Sequence, residues 1–114
     1  MKSDDHLEAV VLLQKHLQVQ KGEPLAIAPA AGLAGVEELR ALLQQQINFL
    51  LDHQFERLLQ AMYRMDVSED AFKEALALST GPAIVSKLTD LVLEREMQKV
   101  ATRRLYSASK MSSI

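Results

Sequence analysis

The sequence has no cysteine and no tryptophan, and only 4% of its 114 residues are aromatic. The missing cysteines exclude disulfides, thiolate metal sites and cysteine nucleophiles. Small secreted domains often depend on disulfide staples, so the lack of them points to a reducing compartment. With so few aromatics, the core has to be built from Leu, Val, Ile, Met and Ala. Leu and Ala are strong helix formers, whereas the β-branched and aromatic residues that favour strands are scarce. No apolar run approaches the ~20 residues of a membrane span. The opening Met1-Lys2-Ser3-Asp4-Asp5-His6 has acids where a secretory leader carries basic residues. A cytoplasmic protein with no membrane contact is expected.

Standard catalytic signatures are missing too. There is no Gly-x-Ser-x-Gly elbow, and Ser79-Thr80-Gly81-Pro82 reads as a helix junction. Gly32-Leu33-Ala34-Gly35 lacks the Lys-Ser/Thr of a phosphate loop, and no strand precedes it. No catalytic residue, cofactor or metal ligand is assigned.

The residues present are those of one globular domain, with 48% apolar and 25% charged. The net charge of −2 is unevenly spread: residues 1–94 hold 8 Lys/Arg against 14 Asp/Glu (−6), and residues 95–114 hold 5 against 1 (+4). A basic end on an acidic body is the main electrostatic asymmetry.

Periodicity and breakers divide the chain into an N-terminal helical segment (1–21), a Pro/Ala/Gly loop (22–35), a helical body (36–106) and a frayed tail (107–114). The first helix is predicted over about Asp5–Gln20, with Leu7, Val10, Val11 and Leu17 on one side and an Asp5/Glu8 capping box. The loop, with Leu25, Ile27 and Leu33, is either a packed strap or a flexible tether. From Val36 to Met65 no Gly or Pro interrupts the chain. Its apolar stripe nevertheless jumps by roughly 130° between Leu39/Leu42/Leu43/Ile47/Leu50 and Phe55/Leu58/Leu59/Met62, at about 100° per residue. Two helices, 37–52 and 54–65, with a turn near Asp52-His53-Gln54 account for that shift; one long helix is the alternative. Ser68 is placed as the cap of a short helix to about Leu78, burying Phe72 and Leu76 with Val67 as staple. A last helix from Pro82 to about Tyr106 carries Ile84, Val85, Leu88, Leu91 and Val92. The expected fold is all-α: an irregular bundle or orthogonal array of four to five helices with a long C-terminal helix.

The stretches Leu59-Gln60-Ala61-Met62-Tyr63-Arg64-Met65-Asp66-Val67-Ser68-Glu69 and Leu91-Val92-Leu93-Glu94-Arg95-Glu96-Met97-Gln98-Lys99 resemble a family of small bacterial all-helical proteins without assigned function. The likeness spans residues 47–104. It implies a helical fold and a bacterial origin, and brings no site residues with it.

Two constellations remain. Asp52, His53 and Glu56 would share one helical turn and could offer two carboxylates and an imidazole, but no second Glu-x-x-His completes a di-metal set. They read as a polar turn, with a metal enzyme as the outlying alternative. The other is the basic end, where Arg95, Lys99 and Arg103 recur at every fourth position. Three readings stand: a helix end projecting into solvent, pairing with Glu56 or Asp66 of the body, or a partner surface. A second apolar strip, Leu93, Met97 and Val100, lies roughly 160–220° from Ile84, and a helix apolar on two sides touches two things. The functional expectation is therefore a non-catalytic protein–protein interaction or regulatory module, homodimeric, using Leu93, Arg95, Met97, Lys99, Val100 and Arg103. Nucleic-acid binding through Arg95, Lys99, Arg103 and Arg104 is disfavoured as a thin basic footprint.

Overall fold

In the computed structural model, residues 5–27 and 35–112 are described, with side chains for 6–26 and 35–106. They form α1 (Asp5–His16), a 3-10 turn (Pro24–Ile27), α2 (Val36–His53), α3 (Phe55–Met65), α4 (Glu69–Leu76) and α5 (Gly81–Ser112), with no strand among them. The all-α array with a long last helix is what the sequence led one to expect.

α1 buries His6, Ala9, Val10 and Leu13 at helical spacing, followed by Leu17. This face is turned from the expected one: Leu7 and Val11 are exposed, because His6 and Ala9 take the inward positions instead. The helix also stops earlier, at His16. Gln18 takes a left-handed conformation, φ 51°. The amides of Gln18 and Val19 then return to the carbonyls of Lys15 and Gln14 in a Schellman closure. The capping expectation for Asp5 falls outside the described side chains. In the following loop, Leu25 is fully buried on the 3-10 turn, so that part is a packed strap. The Ile27 side chain and residues 28–34, including Leu33, lie outside the described residues.

The break between α2 and α3 is one residue, Gln54, at φ −145° and ψ 62°. Its amide still reaches the Leu50 carbonyl, so the axis bends without a loop. The shift of the apolar stripe is resolved in this way: Leu39, Leu43, Ile47 and Leu50 are buried on α2, and Leu58, Ala61, Met62 and Met65 on α3. α3 ends in a second Schellman closure, with Asp66 left-handed at φ 61°. Ser68 caps α4 by accepting from the Ala71 amide, and Val67 is half-buried beside it. Thr80 caps α5 through Oγ1 to the Ala83 amide, which makes Gly81 rather than Pro82 the first helical residue. α5 continues as helix through 107–112, where fraying was expected; residues 113–114 lie outside the description.

The first part of α5 packs on α2 and α4, and its later part packs on α1. One continuous stripe is buried along it: Val85, Leu88, Thr89, Val92, Leu93, Glu96 and Val100. The two apolar sides read from the sequence are the edges of this stripe, whose centre drifts as the helix passes from one set of neighbours to the other. Both things that α5 touches belong to the same chain.

A non-glycine residue held left-handed costs of order 1 kcal/mol. Gln18→Gly should therefore stabilise the fold by about 0.5–1 kcal/mol and Gln18→Val should destabilise it, as read by chemical denaturation.

Candidate functional site

Polar side chains tie the helices at several places, among them Arg40 on α2, which binds Asp90 (2.7 Å) and Ser86 (3.2 Å) of α5; two of these ties enclose a largely buried acid. At the first, Arg57 on α3 donates to both carboxylate oxygens of Glu23, at 2.7 and 3.1 Å. It also donates to the carbonyls of Leu17 (3.2 Å) and Gln18 (3.0 Å), and Arg64 takes the carbonyl of His16 at 2.8 Å. The carbonyl of the last α1 residue and those of the two residues after it thus end on cations, the favourable arrangement for a helix C-terminus. Buried Gln46 on α2 donates to Glu23 at 2.8 Å and accepts from the Leu25 amide at 3.1 Å. The Arg57 hydrogen bond, with those from the Gln20 amide and Gln46, holds the Glu23 carboxyl down at about 2 against the opposing effect of burial.

At the second, Glu96 is fully buried in the α1–α5 interface. Its Oε1 lies 2.5 Å from His16 Nδ1, and its Oε2 lies 3.3 Å from Lys99 Nζ. Oε2 has no hydrogen bond of good geometry. No nucleophile adjoins these groups in the described contacts, and the cluster acts as a clasp between helices.

The basic end is largely engaged inside the fold. Arg95 lies 3.8 Å from Asp66, one of the two body acids expected as its partner. Lys99 faces Glu96, and Arg104 pairs with Glu8. Arg103 is exposed and, with Arg95, Lys99, Thr102 and Leu12, borders a shallow surface depression. The expected partner strip is not a surface: Leu93 and Val100 are buried and Met97 is half-buried against the core. The physical reason is α1, which packs along this part of α5 and covers the strip from within the chain.

The structure instead opens an apolar groove between α3 and α4 that sequence reasoning missed. Phe55, Leu59, Met62 and Tyr63 line it from α3, Val67 from the junction, and Phe72 and Leu76 from α4. Glu69 and Lys73 stand at its rim, with Glu69 accepting a long hydrogen bond from the Tyr63 hydroxyl (3.4 Å). The Phe55 and Phe72 rings stack with centroids 6.3 Å apart. Phe55 is 41% and Tyr63 66% exposed. The cavity volume is about 250 Å³, below the ~300–1,000 Å³ usual for small-molecule sites. A sequence signal did exist: Phe55, Leu59 and Tyr63 recur at every fourth position, a second apolar row on α3 beside the core row of Leu58, Met62 and Met65.

Asp52, His53 and Glu56 are all exposed, and the break at Gln54 separates Glu56 from the turn that would have aligned it with the other two. Among the described residues no group of three or more His, Asp or Glu is placed to hold a metal ion. No helix among them is long and apolar enough to cross a membrane. The chain matches no protein-family model, no curated protein and no solved structure.

Two outcomes follow. The unfolded chain protonates Glu23 near its ordinary 4.5 and the folded chain near 2. The stabilisation from this carboxylate is therefore complete above pH 4.5 and lost as pH falls towards 2, up to about 3 kcal/mol. Glu23→Gln should flatten that part of an acid-unfolding profile. Leu93→Glu places a charge in the core, so it should unfold the chain by roughly 3 kcal/mol or more in thermal melts rather than merely weaken an association.

Proposed function

We propose that the protein is a non-catalytic protein–protein interaction module whose working surface is the α3–α4 groove, acting in the reducing cell interior that suits its cysteine-free sequence. The observation that carries this reading is the gathering of Phe55, Tyr63 and Phe72, three of the five aromatic residues of the chain, around one open apolar cleft. Phe55 and Tyr63 are exposed and Phe72 is buried beneath them; exposed aromatics are the side chains that most often anchor protein interfaces, because they bury much area and lose little rotamer freedom. The cleft is undersized for a cofactor, and its charged groups, Glu69 and Lys73, sit at the rim, where interfaces place their polar contacts. The basic stripe is a weaker claimant, since Arg95, Lys99 and Arg104 face acids of the same chain.

A photoreactive phenylalanine analogue placed at Tyr63 should give a discrete cross-linked protein species in cells, and the same analogue at exposed Lys87 on α5 should not. Equal labelling from both positions, or none from Tyr63, would count against the reading.

A further inference from the structure

We draw no further inference here: the strongest candidate, an occupant for the apolar cleft between α3 and α4, rests on an unpartnered face whose charged lining is one acid and one base, Glu69 and Lys73, and nothing in the structure shows what covers it.

Discussion

Arg57 meets five acceptors at the place where α1 ends, the 3-10 strap begins and α3 crosses both: two carbonyls, two carboxylate oxygens and the Gln54 side chain. Neutral packing could press these elements together at several angles, but a guanidinium fork accepts few. Glu23 needs the cation because it is largely withdrawn from water, and the open carbonyls of α1 need donors because their helix has stopped. Removing Arg57 would leave each unsatisfied. With its inner side fixed in this way, α3 holds Leu58, Met62 and Met65 in the core and turns the row of Phe55, Leu59 and Tyr63 towards α4.

Glu96 plays the corresponding part at the same end of α1, on the side that faces α5. A buried carboxylate is costly unless paired, and its partners come from two directions, His16 across the interface and Lys99 along α5. An apolar residue could fill the space with equal or greater stability, but it would not fix the register of one helix on the other. With Glu8–Arg104 further along, the clasp sets α1 antiparallel to the later part of α5. That alignment covers Leu93 and Val100 and leaves Leu105 and Tyr106 outside.

The helices themselves were legible in the sequence wherever one physical signal dominated. The phase jump in the central stripe located the bend at Gln54 to within two residues, and Ser68 declared its cap. Legibility failed where tertiary neighbours decide. Glu96 reads as one acid in a basic stretch, yet it stands between Val92 and Val100 at the centre of the inward stripe, where His16 across the interface and Lys99 along the helix make burial tolerable. Gln46 is hidden in the same way between Leu43 and Ile47. The schematic opposition of Ile84 to Leu93, Met97 and Val100 suggested two partners for α5, and both proved intramolecular because α1 folds back along it. The groove escaped notice for the converse reason: Phe55 and Leu59 were assigned to the core, while the bend lets Leu58 and Met62 fill it and leaves the neighbouring row outward.

The position of the interaction surface thus follows from polar ties between helices, which decide which apolar residues are used internally and which face outward. The outward set on α3 and α4 is an apolar cleft with Phe55 and Tyr63 exposed and with Glu69 and Lys73 at its rim. A photoreactive analogue placed at Phe55 tests the role of this cleft most directly. The expected result is a discrete cross-linked protein species that Tyr63→Glu abolishes in a chain that stays folded. A species that survives that substitution would contradict it.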